Sequence, residues 1–237
     1  MFKIIRYCIQ KIAIKFIIKE KNNKKRFTKI FETNYWGDLQ SCSGPGSNIR
    51  NTRNLTRELN KIIKKYKIKS IVDAPCGDFF WINKVIKQNN LKYLGIDIVD
   101  DLIRLNKKKH QNNRIKFLNY DILENRIPEC DLIICRDFLF HLSNKDIKNF
   151  FRNLKTSKFK YILISNHALN NCNITINKDI QSGDFRKINL FKKPFNLKRN
   201  YDFFINDYCD GKEKYLLFYK AVNLKLAVQN FLNKKIK

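Results

Sequence analysis

Short apolar runs alternate with amphipathic stretches along most of the chain. The runs are rich in Ile, Val, Leu and Phe and end at polar or turn-forming residues, which is typical of strands buried on both faces of a parallel sheet. Five such runs predict strands at residues 68–73, 93–97, 116–120, 132–135 and 161–165. Two apolar stripes at helical spacing predict helices: Leu55, Leu59, Ile62, Ile63 and Tyr66, and then Ile147, Phe150, Phe151 and Leu154. Ser143 is the predicted N-cap of the second helix.

The end of the chain breaks this alternation. Residues 201–208 and 215–219 both have the pattern of a strand, and only a short turn at 209–212 separates them. Two strands joined so directly form an antiparallel hairpin. The whole pattern predicts an α/β fold, with a doubly wound, mostly parallel seven-stranded sheet and a C-terminal antiparallel hairpin. Ligands of such sheets bind beyond the carboxyl ends of the strands.

The N-terminal residues have the pattern of a basic amphipathic helix. Residues 1–26 place Ile5, Ile9, Ile12 and Phe16 at roughly helical spacing, with Lys and Arg between them. Such a helix can lie on an anionic membrane surface or cover the domain's own core, but its charges prevent it from spanning a bilayer. We therefore divide the chain into a basic amphipathic segment (1–30), the main domain (31–222) and a basic C-terminal tail (223–237).

Composition changes this picture only in part. Lys and Arg number 49 against 21 Asp and Glu, which gives a formal net charge of +28. This charge favours nucleic acid, anionic lipid or phosphorylated glycan as a partner, yet the Lys are spread along the chain with Asn and Ile, as AT-rich coding would also produce. Seven Cys with no CxxC pair argue against a zinc ribbon and a disulfide framework. We expect a cytoplasmic protein without a metal site, peripheral at a membrane surface if the N-terminal helix binds lipid.

Three acidic residues follow three consecutive predicted strands. The turn at 73–79 after the first strand contains a single glycine, Gly77, whereas a dinucleotide site needs several glycines to approach a pyrophosphate. Asp97 ends the second strand, where a carboxylate can accept both ribose hydroxyls of an adenosine. Asp121 and Ile122 follow the third strand and offer a carboxylate for the adenine amino group and an apolar wall for its ring. The pattern indicates a nucleoside cofactor rather than NAD.

These residues resemble a known family. The segment Val72-Asp73-Ala74-Pro75-Cys76-Gly77-Asp78 is similar to the first motif of class I S-adenosylmethionine-dependent methyltransferases, in which an acid precedes a glycine-containing turn. The resemblance covers roughly residues 31–222 and implies a Rossmann-like fold with S-adenosylmethionine as the cofactor. Pro75 occupies a position at which the family usually has glycine, which makes the turn stiffer. The predicted cofactor contacts are Trp36, Asp73, Pro75, Cys76, Gly77, Asp78, Asp97, Ile98, Asp121 and Ile122.

A narrower resemblance rests on further motifs. The segments Tyr35-Trp36-Gly37 and Ser41-Cys42-Ser43-Gly44-Pro45-Gly46-Ser47, the PCGDF turn and the run from Cys135 to Ser143 look like an uncharacterised bacterial and viral subfamily. Its members are suspected of modifying glycans, which implies a glycan or glycolipid acceptor. Trp36 could instead stack on a sugar or base, or pack in the core.

The catalytic candidates follow the fourth strand. Arg136, Asp137 and His141 lie there, and we predict His141 as the general base because an imidazole can accept a hydroxyl proton near neutral pH. Asp137 would orient His141 or hold the cofactor's amino group. Arg136 would bind an acidic part of the acceptor or the cofactor carboxylate. The alternative interpretation of His141 is a histidine at a helix start bonded to backbone.

Further polar residues lie after the fifth strand. His167 is a second candidate base, or a surface loop residue. The polar run at Asp179, Gly183, Arg186 and Asn189 either shapes the acceptor pocket or forms turns.

Three hypotheses of function follow. The first is O-methylation of a sugar hydroxyl on a glycan or glycolipid. The second is methylation of RNA or another nucleic acid, which the net charge favours, although no separate RNA-binding module is present. The third is a cofactor-binding subunit without catalysis.

Overall fold

The computed structural model of the protein describes residue 17 and residues 19–167, 176–209 and 213–233. Two predicted features lie outside the described residues. They are the amphipathic positions Ile5, Ile9, Ile12 and Phe16, and residues 210–212 of the predicted turn.

A seven-stranded sheet forms the centre of the described part. Its strands are β1 (Ser70–Asp73), β2 (Lys92–Asp97), β3 (Ile115–Asn119), β4 (Cys130–Cys135), β5 (Phe159–Asn166), β6 (Phe203–Asn206) and β7 (Tyr215–Lys220). They are arranged in the order β3-β2-β1-β4-β5-β7-β6. Strands β1 to β5 pair in parallel, and β7 pairs antiparallel with both β5 and β6. The predicted fold class and the C-terminal hairpin are therefore confirmed.

Neighbouring residues of each central strand face opposite sides of the sheet. In β1, for example, Ile71 belongs to one apolar cluster and Val72 to the other. In β4, Ile133 and Ile134 divide in the same way, and all four side chains are almost completely buried. Because both faces are covered, these strands are continuous apolar runs without an alternating polar side.

Helices cover the two faces. Their bounds are α1 (Asn23–Glu32), α2 (Ile49–Lys65), α3 (Asn83–Gln88), α4 (Asp100–His110), α5 (Asn144–Thr156) and α6 (Ala221–Asn233). The buried residues of α2 and α3 belong to one cluster, and those of α1, α5 and α6 to the other. Ser143 caps α5 as predicted, since its side-chain oxygen accepts a hydrogen bond from the backbone N–H of Asp146. None of the described helices is long and apolar enough to cross a membrane.

The structure corrects both predicted chain ends. Helix α1 buries Phe27 and Ile30 in the core, so the predicted boundary at residue 30 falls inside a helix of the main domain. Helix α6 covers most of the predicted tail and buries Leu224 and Phe231 against the same cluster. The sequence of α6 is mostly apolar, and its buried residues Leu224, Ala227, Val228 and Phe231 recur at helical spacing, a signal that the prediction of a basic tail did not use.

Candidate functional site

A pocket lies at the carboxyl end of the central strands, where the fold places ligands. We call it the strand-end pocket. It is bounded by the residues after β1, β2 and β4, by α1 and by the loop before α2. The predicted residues that line it are Trp36, Asp73, Pro75, Cys76, Gly77, Asp97, Ile98, Arg136, Asp137 and His141.

The turn after β1 depends on Gly77. This residue has φ +54°, in the left-handed region that favours glycine, and a Cβ here would collide with the side-chain oxygen of Ser43. Its N–H donates to Oδ2 of Asp97 at 3.2 Å, and its carbonyl accepts from the side chain of Asn106 at 2.7 Å. The turn is thereby fixed to β2, with backbone exposed to the pocket.

Asp97 is a buried carboxylate at the end of β2. Its second oxygen accepts from the N–H of Val99 at 3.1 Å, so each oxygen has one backbone donor and retains lone-pair capacity for a ligand hydroxyl. Burial raises the pKa of Asp97 to about 6, although the N–H groups of Val99 and Gly77 act in the opposite direction.

Asp73 is buried beneath the same turn. The hydroxyl of Tyr93 donates to its Oδ2 at 2.9 Å. Burial raises the pKa of Asp73 to about 7, while Tyr93 and Arg136 lower it. The pKa values of Asp73 and Asp97 therefore lie closer to neutral pH than those of exposed carboxyl groups.

A smaller cavity adjoins the pocket. Ile98, Ile122 and Phe138 supply apolar walls, and Asp121 lies at its edge. Asn23 and Phe27 of α1 also line it. Asp97 lines the cavity as well, so an apolar slot with two carboxylates lies where Asp121 and Ile122 are predicted to contact an adenine.

Asp78 is not among the residues that line the pocket. Its carboxylate accepts from the hydroxyls of Ser41 (2.8 Å) and Ser43 (3.2 Å) and from the N–H of Cys42 (3.0 Å). Asp78 thereby fixes the loop that forms one wall of the pocket. Its predicted contact with the cofactor stays a prediction.

Arg136 is held by a buried acid. Its Nε and Nη2 donate to the two carboxylate oxygens of Asp207, both at 2.9 Å, and Nη2 also donates to the carbonyl of Gly46 at 2.7 Å. Burial opposes its charge, but Asp137 and Asp207 outweigh burial and raise the pKa of Arg136. Arg136 also lines the pocket, so its predicted contact with an acidic acceptor or cofactor group stays a prediction. Its bonds to Asp207 and Gly46 show that it also supports the site.

Asp137 has left-handed backbone, with φ +54°. Its Oδ1 accepts from Nζ of Lys214 at 2.5 Å, and its Oδ2 lies 3.2 Å from Nη1 of Arg136. Burial alone would raise the pKa of Asp137, but Arg136 and Lys214 outweigh it and lower the pKa. The carboxylate stays charged beside the pocket.

His141 ends a short 3₁₀ turn between β4 and α5, Leu139–His141. Its Nδ1 lies 2.8 Å from the carbonyl oxygen of Asp184. A carbonyl only accepts, so Nδ1 carries the hydrogen and Nε2 is the unprotonated nitrogen. Burial lowers the pKa of His141 to about 4, although the Asp184 carbonyl and Asp137 act in the opposite direction. The ring of Trp36 lies beside it, with centroids 4.8 Å apart.

The central part of the chain, which includes the residues after β1, β2 and β4, matches a known family model. Residues 71–157 match the family model described as a methyltransferase domain.

Solved structures share its fold at low identity. Magnesium protoporphyrin IX methyltransferase from Synechocystis, solved with bound S-adenosylmethionine, has a TM-score of 0.60 and 11% identity, over 85% of this chain and 98% of that one. Human N-acetylserotonin methyltransferase has a TM-score of 0.54 and 13% identity, over 82% and 58%. The methyltransferase domain of bacterial CtHen1-C has a TM-score of 0.54 and 14% identity, over 73% and 98%. A search of curated protein sequences finds no match. The family match and the shared fold support the predicted class, a S-adenosylmethionine-dependent methyltransferase.

Three residues of the predicted polar run, Asp179, Gly183 and Arg186, bond the 3₁₀ turn that carries His141 and the residues after it. The N–H of Gly183 donates to the carbonyl of His141 at 2.7 Å. Arg186 donates from its backbone N–H to Phe140 and from Nη1 to the carbonyl of Leu142 at 2.7 Å. Asp179 accepts from the N–H of Asn144 at 2.7 Å. These residues hold the turn that carries His141. Asn189, farther along, bonds Asn177 instead.

His167 lies outside the strand-end pocket. Its Nδ1 accepts from the N–H of Ile188 at 3.3 Å, and its ring packs against Phe140 and Phe185. The surface-loop interpretation is wrong, since the side chain is buried, and its packing favours a structural role over that of a second base.

Sequence reasoning missed several residues of this site. Asp207 and Lys214 begin and end the hairpin turn and complete the ion network of Arg136 and Asp137. The sequence did contain a signal for this pair: Asp207 and Lys214 are opposite charges that flank the turn between the two apolar strands of the hairpin. Asp184 contributes a backbone carbonyl, which residue type does not indicate. Phe27 was missed because its helix was placed outside the main domain.

Proposed function

We propose that this methyltransferase domain binds S-adenosylmethionine in the strand-end pocket and transfers its methyl group to a hydroxyl, with His141 as the general base. The observation that carries the proposal is the 2.8 Å contact between Nδ1 of His141 and the Asp184 carbonyl. It fixes one tautomer and leaves Nε2 as an acceptor of protons. A base is needed for a hydroxyl acceptor because the proton must leave as the new C–O bond forms.

The residues present fit this cofactor. Asp97 would accept the ribose hydroxyls, and Ile98, Ile122 and Phe138 would enclose the adenine, with Asp121 near its amino group. The backbone of Gly77 would lie beneath the methionine part, where a Cβ has no room. The cofactor supplies a methyl group already activated on a positively charged sulfur. The charged Asp137 offers a partner for its amino group, because Asp137 does not bond His141 and the Asp184 carbonyl orients that ring instead.

Neutral His141 can serve as the base despite its low pKa. A buried imidazole with a pKa of about 4 is unprotonated throughout the physiological range, so Nε2 is always available. The negative charge of Asp137 favours the imidazolium that forms when the proton arrives. The 3₁₀ turn, held by Gly183 and Arg186, keeps the ring at the pocket wall. Orientation of this kind supplies a large part of catalysis in a transfer that needs only alignment and proton removal.

The acceptor we propose is a sugar hydroxyl on a glycan or glycolipid. The support is the resemblance of the PCGDF and CRDFLFHLS motifs to a subfamily suspected of glycan modification, together with a base suited to a hydroxyl. Trp36, beside His141, offers an aromatic face to a sugar ring. The proposed location is the cytoplasm.

Labelled cofactor tests the acceptor directly. The full chain is incubated with methyl-labelled S-adenosylmethionine and with separated glycan, lipid and RNA fractions of host cells. We expect label in the glycan or glycolipid fraction. Label in RNA would refute this acceptor and favour the second hypothesis, nucleic-acid methylation. Calorimetry with the cofactor alone tests the first half of the proposal, and no binding would refute it.

A His141→Gln variant separates catalysis from cofactor binding. We expect it to bind the cofactor as the parent does and to transfer little label. If the variant and the parent are equally active in every fraction, His141 is not the base. If neither transfers label, the chain is a cofactor-binding subunit without catalysis.

A further inference from the structure

The outer face of α2 carries a row of cations. The helix buries Leu55, Leu59 and Ile62 on one side. Its basic side chains recur three or four residues apart on the opposite side and are exposed: Arg50, Arg53, Arg57, Lys61 and Lys64. Residues at this spacing share one helix face, so the charges form a continuous stripe along the helix.

This stripe has little compensating charge. Glu58 is the acid of α2, and it pairs with Arg57 at 3.2 Å and Lys61 at 2.9 Å. Within the part of the chain that the structure describes, no ion pair engages Arg50, Arg53 or Lys64. The positive potential is therefore strongest at the N-terminal end of α2 and is open to an external anion.

Exposed apolar side chains lie at that same end. Leu39 is 99% exposed and Ile49 is 64% exposed. The loop that carries Leu39 is joined to the start of α2, because the side chain of the next residue, Gln40, accepts a hydrogen bond from the N–H of Ile49 at 3.1 Å. Tyr208 is 47% exposed and follows Asn206, whose carbonyl accepts from Asn54 of α2 at 2.8 Å. Aliphatic tips and an aromatic ring thus surround the basic first turns.

The position of this surface relates it to the site. Trp36 and Ser47 line the strand-end pocket. Leu39 follows Trp36 by three residues in the loop before α2, and Ile49, the first residue of α2, follows Ser47 by two. The loop is fixed to the pocket wall by Asp78. A partner bound at the N-terminal end of α2 would therefore be held next to the wall of the pocket.

We propose that the α2 surface, formed by Arg50, Arg53, Arg57, Lys61, Lys64, Leu39, Ile49 and Tyr208, binds an anionic lipid bilayer. The cations match the negative surface of such a bilayer. Leu39 and Ile49 distinguish lipid from nucleic acid, because aliphatic side chains gain by insertion among acyl chains but offer no face on which a base can stack. Tyr208 suits the headgroup region, where amphipathic rings accumulate.

Vesicle co-sedimentation of the full chain tests the proposal. The probes are phosphatidylcholine vesicles with and without phosphatidylglycerol. We expect binding only when phosphatidylglycerol is present. A triple variant Arg50→Gln, Arg53→Gln, Arg57→Gln should weaken it at least about tenfold, because each cation near an anionic surface contributes about fivefold. The double variant Leu39→Ser, Ile49→Ser should weaken binding with the charge unchanged.

A charge-matched control lies on the other face of the sheet. Arg152, Lys155 and Lys158, on and after α5, can be changed to Gln together, which removes the same number of charges. This variant should bind vesicles as the parent does. Equal losses in both triple variants would mean that net charge alone drives binding, and would refute the proposal.

Two further outcomes decide the matter. Vesicle binding that survives both α2 variants refutes the proposal, and so does a single-stranded RNA of mixed sequence that displaces the chain from the vesicles by occupying the same residues. Calorimetry with S-adenosylmethionine on each variant confirms that the pocket is intact. Because vesicle binding and cofactor binding are measured separately, failure here leaves the proposed function untouched.

Discussion

Arg136 and Asp207 form a bidentate ion pair that is almost completely buried, with both nitrogen–oxygen distances at 2.9 Å. The pair joins the end of β4 to the C-terminal hairpin, and Lys214 reaches Asp207 at 3.1 Å and Asp137 at 2.5 Å. Two cations and two anions thus neutralise one another behind the pocket. Arg136, predicted to contact the acceptor or the cofactor carboxylate, is thus also part of the frame that positions Asp137.

The first prediction concerns this frame. Asp207→Ala should lower the free energy of unfolding by about 3–5 kcal/mol. The variant leaves the buried guanidinium of Arg136 without the carboxylate that accepts two of its hydrogen bonds. Urea unfolding followed by circular dichroism measures the change. Arg104→Ala is the control, since Arg104 forms an exposed pair with Asp101 and should cost less than about 1 kcal/mol. Equal losses in the two variants would contradict the role of the buried pair.

The second prediction concerns the base. His141→Ala should lower the rate of methyl transfer by about 10²- to 10⁴-fold with little change in cofactor affinity. With saturating cofactor, the parent's rate should stay constant from neutral pH downwards and fall as the pH approaches about 4, where His141 becomes protonated. His167→Asn is the control, because Asn can keep the bond from Ile188, and it should retain most of the activity. A large loss in the control alone would make His167 the base.

The third prediction concerns Asp97 and the cofactor. Burial raises the pKa of Asp97 to about 6, so the affinity for S-adenosylmethionine should fall as the pH decreases below about 6 and the carboxylate is protonated. Asp97→Asn should weaken binding by about tenfold to a hundredfold, which corresponds to the loss of a charged hydrogen bond, and should remove this pH dependence. Calorimetry across the pH range measures both effects. Asp101→Asn, on the exposed face of α4, should bind like the parent; an unchanged profile in Asp97→Asn would contradict the assignment.

The fourth prediction concerns stability and Asp73. Its pKa rises from 3.8 to about 7 on folding, so the folded state binds the proton more tightly than the unfolded state does. The contribution of Asp73 to stability is therefore present below pH 4 and is lost as the pH rises towards 7. Asp73→Asn should raise the free energy of unfolding at pH 8, by up to about 4 kcal/mol, since Asn keeps an acceptor for Tyr93 without a buried charge.

Urea unfolding at pH 8 and at pH 4 checks this prediction. The gain should be large at pH 8 and small at pH 4, where Asp73 is protonated in the parent. A variant less stable than the parent at pH 8 would show that the charge of Asp73 is compensated by its surroundings.

The sheet could be predicted from the sequence because burial on both faces leaves a direct trace. Strands such as β2 and β4 have apolar centres, with charged residues only near their ends, and the structure places their bounds within two residues of the prediction. Asp97 was identified because it ends such a strand. Helix α6 was not predicted, although its buried residues recur at helical spacing, because the prediction of a basic tail did not use that signal.

The orientation of side chains within the site could not be predicted in the same way. Asp78 follows Gly77 directly, and the left-handed backbone of Gly77 directs the chain so that Asp78 meets the loop at 41–43. The partner of His141 is a main-chain atom of Asp184, which any residue type could provide. Arg136 and Asp207 are separated by 71 positions and meet only because β7 inserts between β5 and β6.

The recognised domain, residues 71–157, contains Asp73, Asp97 and His141 but not the parts that enclose them. Phe27 and Trp36 precede it, and Asp184 and Lys214 follow it. The residues proposed to bind the cofactor and to remove the proton thus lie in one stretch of the chain, and residues that enclose the pocket lie in the stretches before and after it. A chimera that keeps residues 71–157 and exchanges the flanking stretches would retain the reaction type while acquiring a different acceptor, so the flanks are where selection for a new substrate would act.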